Sequence, residues 1–428
     1  ISDLGKCVKW NSHLWSFDND EKILRACVDM ARIRLDQAVA LEAKTKEESA
    51  HRESMIKFAR GCESKKSIDA TSSIASFIHP FFIQSSEFDS NPDLIGVRNG
   101  VVNLRTGEKR EGKREDYILN KSHVTFKESD DCPLWKEKVK EIFGGDENLI
   151  NFFHKAIGYS SSGNMTEQIF FICWGSGRNG KSLLLNTIKD VIGDYAANTP
   201  FSTFEQSKKQ DVGNDIASLM GKRFVIASET DEAKYINEAR IKAITGQDPI
   251  TCRFLYKEFF TFFPQFKIWL ITNEKPKIRS QTATLWARLR LIPFTLSFVG
   301  KEDRTLAKRL MEEASGILNW IVEGYQMYLE EGLEPPQIMI DCGNEYRTEN
   351  DPFGAFLDEE CFIDSTVSIP ASKLFEAYAE WAKARHEYQH TFTKFGWMMK
   401  EKGFEKIRSG FGIKYIGIAL KEKESTDG

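Results

Sequence analysis

The stretch Ile169–Ile188, IFFICWGSGRNGKSLLLNTI, decides how this chain is read. Its unbroken apolar opening, up to Trp174, has the character of a strand buried on both faces. The polar, glycine-rich turn Gly175–Ser182 comes next, and a helix is predicted from Lys181 to about Ile192. Glycines in such a turn let backbone N–H groups curl inward around phosphate oxygens, and the helix behind presents its positive N-terminus. The turn fits G-x-x-x-x-G-K-[ST], so Lys181 is expected to reach the β- and γ-phosphates of ATP and Ser182 to ligate Mg²⁺. The expected phosphate-binding stretch is Gly175, Ser176, Gly177, Arg178, Asn179, Gly180, Lys181, Ser182 and Leu183. The same residues also satisfy the GxGxxG dinucleotide pattern. That match is weak, because Lys-Ser follows directly and no acidic strand end lies about 20 residues on.

Downstream, apolar runs at Arg223–Ala227, Lys267–Thr272 and Leu289–Pro293 read as further strands separated by helices. Together they predict an α/β fold with a buried, mainly parallel sheet. Hydrolysis needs a carboxylate at the end of a second strand. GKRFVIASETDE places Glu229 there as the expected base and a member of the Mg²⁺ site, Asp231 as the likelier metal-sphere helper, and Glu232 as a solvated residue. The strand FKIWLITN ends in Asn273, a polar amide able to sense the γ-phosphate, although NEKP is also a good turn sequence. LWARLRLIPF sets Arg288 and Arg290 two apart, on one face if the segment is already extended. Either could stabilise transition-state charge across a subunit boundary or serve in a structural salt bridge.

The 428 residues predict several compact units. With 41% hydrophobic and 29% charged residues, the composition is that of a globular chain, and the apolar clusters are too short to span a bilayer. The eight cysteines are scattered singly, which argues for reduced thiols and a cytoplasmic location. A net charge of -4 confines any nucleic-acid site to a local basic feature. Asp18–Asp20 reads as a cap for a helix from Glu21 to about Leu41. Asn99-Gly100 marks a hairpin turn, and Pro133–Tyr159 reads as helical. Asp303–Glu331 is read as helices beyond the sheet. The last residues, from 350, are read as helices followed by a β-rich end, an order that suits a winged helix.

This ordered set resembles the superfamily 3 helicases of the phage/plasmid and poxvirus primase-helicase type. The residues that carry the resemblance are RNGVVNLRTGE, CPLWKEKVKEIF, FFHKAIGYSSSG, the phosphate loop, GKRFVIASETDE, IKAITGQDPITCRFLYKEF, FKIWLITNEKPKI, LWARLRLIPF and the C-terminal LFEAYAEWA, FGWMMKEKGF and YIGIAL. It implies an AAA+-like P-loop core at 167–300, preceded by an associated mixed domain at 1–130 and a helical connector at 131–166. A helical linker at 301–349 and a winged-helix-like domain at 350–428 are implied to follow. It further implies a ring, expected to be hexameric, that hydrolyses ATP between subunits and moves along single-stranded or forked DNA during phage or mobile-element replication. In that setting Arg288 carries over as the finger, with Arg290 its rival because Ala287 stands where the family often has an arginine. Lys242 carries over to the nucleotide or subunit boundary. A pore hairpin is implied over Ile250–Phe263, with Lys257 near its tip and Arg253 and Tyr256 as further DNA contacts, while most of its phenylalanines are read as core. The missing initial Met suggests the helicase half of a longer primase or primase-polymerase.

The competing functions are a DNA-binding origin-recognition or loader ATPase without processive unwinding, a protein-remodelling motor, and a small-molecule P-loop kinase. HEYQH at 386–390 matches HExxH, but its polar flanks near a helix end argue against zinc. Lys208-Lys209 is read as a solvated loop.

Overall fold

Five strands form one fully parallel sheet: β1 (Phe170–Trp174), β2 (Ala196–Pro200), β3 (Phe224–Ser228), β4 (Lys267–Thr272) and β5 (Leu289–Pro293), in the spatial order β5-β1-β4-β3-β2. The computed structural model describes residues 1, 6–19, 21–78, 82–206, 213–228, 235–279, 281–385, 387–409 and 412–421. It divides into two units, residues 1–274 with 287–339, and residues 275–286 with 340–428.

In the first unit β1, β3, β4 and β5 are buried on both faces, which explains their apolar runs, while the edge strand β2, AANTP, is partly exposed and polar. Trp269 of β4 stacks on Phe171 of β1 with ring centroids 4.2 Å apart, and its indole N–H donates to Ser160 Oγ at 3.0 Å. The predicted helical run 133–159 is two helices, α1 (Pro133–Ile142) and α2 (Glu147–Ser161), broken where Gly144 and Gly145 both take positive φ. The phosphate-loop helix α3 spans Lys181–Ile192 and buries Leu184, Leu185, Ile188, Val191 and Ile192. Helix α4 (Glu238–Thr245) is capped by the Asn237 side chain, and α5 (Ala314–Glu331) packs along α2.

Before the sheet, the strands Val8–Asn11 and Leu14–Phe17 pair with Trp10 directly opposite Trp15. The next helix spans Lys22–Val39, and Asp18 accepts from the backbone N–H of Lys22 and Ile23, as its expected capping role requires. Asp20 lies outside the described residues. The hairpin near residue 100 turns one residue earlier than expected: Val97 pairs with Gly100, so Arg98-Asn99 forms the turn and Gly100 opens the strand. Asn99 is tied down instead by exchanging hydrogen bonds with the Phe126 backbone.

The second unit begins with residues 275–286, the connection between β4 and β5. Lys275 pairs with Glu349 at 2.9 Å, and the Tyr346 hydroxyl donates to Pro276 O. The helices Pro352–Glu360, Ala371–Ala384 and Phe392–Glu401 pack around Phe356, Leu374, Phe395 and Ile418. The expected terminal hairpin is a three-stranded antiparallel sheet, in which Gly412–Leu420 lies between Lys406–Ser409 and Cys361–Pro370. The third strand, CFIDSTVSIP, escaped the sequence reading because half-exposed polar residues interrupt its apolar alternation. Residues 387–390 are irregular and come after the end of the helix Ala371–Ala384, so this part of HEYQH is not on a helix; His386 lies outside the described residues. Among the described residues no helix is long and apolar enough to cross a membrane.

Candidate functional site

Parallel pairing brings the ends of three strands to one edge. Trp174 of β1 is in register with Thr272 of β4 and with Pro293 of β5. The residues just beyond these strands therefore meet at the carboxyl edge of the sheet, where open α/β sheets bind ligands. After β1 the backbone turns through the glycine loop. Gly175 has φ 156°, and a Cβ there would lie 2.1 Å from Phe294 O. Gly180 has φ 86°, and a Cβ there would meet the Ile142 side chain at 2.5 Å. Both positions are closed to other residues by space as well as by backbone conformation. Asn179 is buried and donates from Nδ2 to Phe294 O at 3.1 Å, fastening the loop to the segment after β5.

Lys181 opens α3 with its side chain folded under the loop and buried. Its ammonium donates to Gly175 O at 2.6 Å, to Ser176 O at 3.4 Å and to Asn273 Oδ1 at 3.3 Å. Burial lowers its pKa from the ordinary lysine value. Ser182 is exposed beside it in the first turn of α3. Arg178, at the loop tip with φ 60°, pairs with Glu302 at 2.6 Å, and its carbonyl accepts from Phe298 N–H. Glu229, Asp231 and Glu232 come directly after β3 but lie outside the described residues, as do Lys208 and Lys209.

Arg288 is at the other end of the sheet. Its carbonyl accepts from the N–H of Phe170, the first residue of β1. The length of β1, about 16 Å for five extended residues, therefore separates its backbone from the loop. Its guanidinium donates to Thr245 Oγ1 at 2.8 Å, on the last turn of α4, while its Nε is buried with no partner among the described residues. Arg290 turns back on its own chain, donating to Ala287 O at 2.7 Å and Leu289 O at 3.2 Å. The condition for a shared face is not met, because β5 begins only at Leu289 and residue 288 is still in a turn. Lys242 forms an i,i+4 pair with Glu238 on α4 at 2.6 Å.

The hairpin over residues 250–263 is short. Ile250–Cys252 pairs with Phe260–Phe262, and a seven-position loop joins them at 253–259. Tyr256 is fully exposed at the tip with φ 61°, and Lys257 is exposed beside it. Arg253 lies over the Phe259 ring at 4.7 Å. The reading of most of its phenylalanines as core holds fully only for Phe262, which is buried; Phe254 and Phe260 are half-buried and Phe263 is 67% exposed. Phe259, the alternative to Tyr256 as a base or sugar contact, is 62% exposed. A strand of three residues has too little inner face to bury every aromatic that flanks it.

One buried polar cluster was missed. Arg223 precedes β3 and Lys267 opens β4, both at the amino edge of the sheet and both buried. Arg223 donates to Asn91 O and Ser161 O and lies over the Tyr195 ring; Lys267 donates to Ser162 O at 2.6 Å. Asp89 accepts from Leu119 and Asn120 and from the Tyr195 hydroxyl. A cation directly ahead of an apolar strand was the available signal for Arg223 and Lys267. Asp89 and Thr245 carried none.

A family model described as D5 N terminal like matches residues 1–144, and one described as a family of unknown function (DUF5906) matches residues 173–288. The chain is 29% identical over 338 residues to the protein named "Putative helicase" of Acanthamoeba polyphaga mimivirus, covering 72% of this chain and 34% of that one. It is 23% identical over 381 residues to the protein of the same name from Frog virus 3, covering 69% and 39%. It is 23% identical over 334 residues to the "Putative primase" of African swine fever virus, covering 71% and 34%. The chain thus spans roughly a third of the length of these relatives. The apo C-terminal region of NrS-1 superposes with a TM-score of 0.48 at 12% identity, covering 82% of this chain and 90% of that one.

Proposed function

The chain belongs to the phage and viral primase-helicase family, and on that premise we propose that it is an ATP-dependent DNA helicase of superfamily 3 acting in replication. The observation that carries the reading is the meeting of Lys181 and Asn273 at 3.3 Å, which joins the phosphate loop to the polar tip of the neighbouring strand. A cradle that any Cβ at Gly175 or Gly180 would fill, lined by a buried ammonium, suits a triphosphate.

In this reading Gly175–Leu183 wraps the phosphates and Lys181 moves from its backbone acceptors onto the β- and γ-oxygens. Ser182 would hold Mg²⁺, which when bound neutralises phosphate charge. Asn273 orients the attacking water, Glu229 accepts its proton, and Asp231 supports the metal. Arg288, a strand's length from its own loop, serves the site of a neighbouring subunit, with Thr245 aiming it. Arg290 is the weaker candidate because its guanidinium is committed to its own backbone. Lys242 lies on the same helix as Thr245 and so belongs to that boundary. The core is then AAA+-like, the assembly a hexameric ring, and the second unit a winged helix.

Lys257, Tyr256 and Arg253 would face DNA in the ring pore, the lysine neutralising phosphate and the exposed rings stacking on bases. A primase or polymerase, fused or separate, is the natural partner, and the host cytoplasm the natural site of action. The test is ATP-driven separation of forked DNA, abolished by Lys181→Ala. Duplex binding with no strand separation by the unaltered chain would overturn the helicase reading in favour of a recognition or loading ATPase.

A further inference from the structure

We infer that the outer face of the N-terminal hairpin, with Trp10, Trp15 and Phe17 beside Lys6, Lys113 and Arg114, is a binding platform for single-stranded DNA. It is separate from the hairpin at 250–263 and needs no nucleotide in the phosphate loop.

The pairing of Val8–Asn11 with Leu14–Phe17 sorts their side chains onto two faces. Cross-strand partners share a face, and alternate residues return to it. Lys9 and Ser16 are partners, as are Asn11 and Leu14. Theirs is the inner face, because Leu14 is buried in a small core with Leu94, Val101 and Ile118. The other face holds Val8 opposite Phe17 and Trp10 opposite Trp15. Three aromatic rings are thus collected on the side turned away from that core.

The rings differ in what holds them. Trp15 is anchored: its backbone N–H donates to Ile118 O at 2.8 Å, its indole N–H donates to Arg114 O at 2.9 Å, and its ring meets Phe88 edge-on at 6.3 Å. Gly112 admits this docking, since a Cβ there would lie 1.8 Å from His13 O. Among the described residues Trp10 has one ring contact, edge-to-face with Trp15 at 5.6 Å, and its indole N–H makes no hydrogen bond. Both tryptophans are only partly buried. Phe17 is 37% exposed, with the Lys6 ammonium 4.8 Å from its ring centroid.

Charge completes the platform. Lys113 and Arg114 lie in the turn to which Trp15 is bonded. They and Lys6 are exposed and form no ion pair among the described residues. Of the nearby carboxylates, Asp18 is committed to Lys9 and to its helix cap, and Asp116 to Arg110 at 2.6 Å. That leaves the exposed Glu111 and Glu115 against three cations. In a chain of net charge -4, cations gathered around part-exposed rings suit one ligand, a strand whose phosphates are neutralised while its bases stack. A duplex keeps its base faces covered, so the occupant is a single strand.

The experiment is fluorescence anisotropy of labelled oligo(dT) with the full chain and no nucleotide, in a Tyr256→Ala, Lys257→Ala background that removes the proposed pore contacts. Trp10→Ala should weaken binding about tenfold, as the loss of one stacked base, with its salt slope unchanged. Trp10→Phe should keep most of the affinity, because a ring remains. Lys6→Ala combined with Arg114→Ala should weaken binding and lower the salt slope by about 1.4, or about 0.7 for each phosphate no longer neutralised. Oligo(dT) should also quench tryptophan emission, and less so in Trp10→Phe. Unchanged affinity in Trp10→Ala and in the paired cation variant would overturn the platform and leave this face to a protein partner. So would a background protein that binds no oligo(dT). Equal losses in Trp10→Ala and Trp10→Phe, with the salt slope held in the cation variant, would also overturn it, since the hairpin would then act only through its fold. With no nucleotide present, these outcomes stand whether or not the chain separates strands.

Discussion

Asn273 Oδ1 lies 3.3 Å from Lys181 Nζ although 92 positions separate them in the chain. The pair meets because β1 and β4 are parallel neighbours in register, so the residues just beyond each strand must share an edge. If Asn273 positions the attacking water, Asn273→Ala should lower the rate of ATP hydrolysis by about 10²–10³-fold with little change in KM. Asn273→Asp should be at least as damaging, since a carboxylate there would hold the ammonium and repel phosphate. Steady-state ATPase assays decide this, and an equal rise in KM with unchanged kcat would make Asn273 a binding residue only.

Arg288 and Thr245 make a second pair, at 2.8 Å. Arg288→Ala and Arg288→Lys should both abolish ATPase activity, because a lysine lacks the planar fork. Thr245→Val should cost less, roughly tenfold, through loss of one hydrogen bond. Mixing Arg288→Ala with Lys181→Ala protein should restore a fraction of the activity, since some boundaries then carry an intact loop and an intact arginine. Absence of any recovery would sink the shared site.

For the hairpin, Lys257→Ala should weaken single-stranded DNA binding and flatten its salt dependence, by a slope of about 0.7 for each phosphate no longer neutralised. Tyr256→Ala should weaken binding with no change in salt slope, because a ring carries no charge. Fluorescence anisotropy across a salt series separates the two effects.

Asp89 and His154 should impose opposite pH dependences on stability. Burial pushes the Asp89 carboxyl up to about 6, against the pull of Arg223. A raised carboxyl contributes stability that is fully present below the unfolded value of 3.8 and is lost as pH rises toward 6, up to about 3 kcal/mol. Burial pushes His154, which stacks on Trp320 at 3.9 Å, down to about 4. A lowered histidine contributes stability that is present above 6.5 and is lost as pH falls toward 4, by a similar amount. The two slopes should nearly cancel in the unaltered protein between pH 4 and 6. Thermal melts should then show Asp89→Asn losing stability as pH falls through this window and His154→Gln gaining it. Parallel profiles for the two variants would contradict the assignment.

Gly180→Ala should destabilise the first unit by about 1–3 kcal/mol, because φ 86° is strained for alanine and the new Cβ meets Ile142 at 2.5 Å. Combining it with Ile142→Ala should relieve less than half of that loss, since the cavity carries its own cost and the strained φ remains. Full recovery in the double variant would show that space, not backbone conformation, fixes this glycine.

Local order was legible where one physical demand dominates. An apolar run must be buried, a glycine turn must take positive φ, and a helix must present its apolar stripe, so β1, the loop and α3 could be read directly at Phe170–Ile192. Asn273 and Arg288 could also be singled out, because the one follows an apolar strand and the other precedes one. The sequence did not reveal Thr245, Asp89 or the strand Cys361–Pro370. None has a local signal, since a hydroxyl at a helix end or a carboxylate in a loop is equally at home in solvent.

Sequence by itself determined the kinds of element, the glycine-rich turn between β1 and α3, and the ordered motifs that carry the family resemblance. Tertiary structure alone decided which distant residues meet. The register of parallel strands put Asn273 beside Lys181 and carried Arg288 to the opposite edge of the same sheet. The docking of the N-terminal hairpin likewise set Trp15 beside Arg114, because hydrogen bonds to backbone carbonyls fix that contact where no side-chain pattern records it.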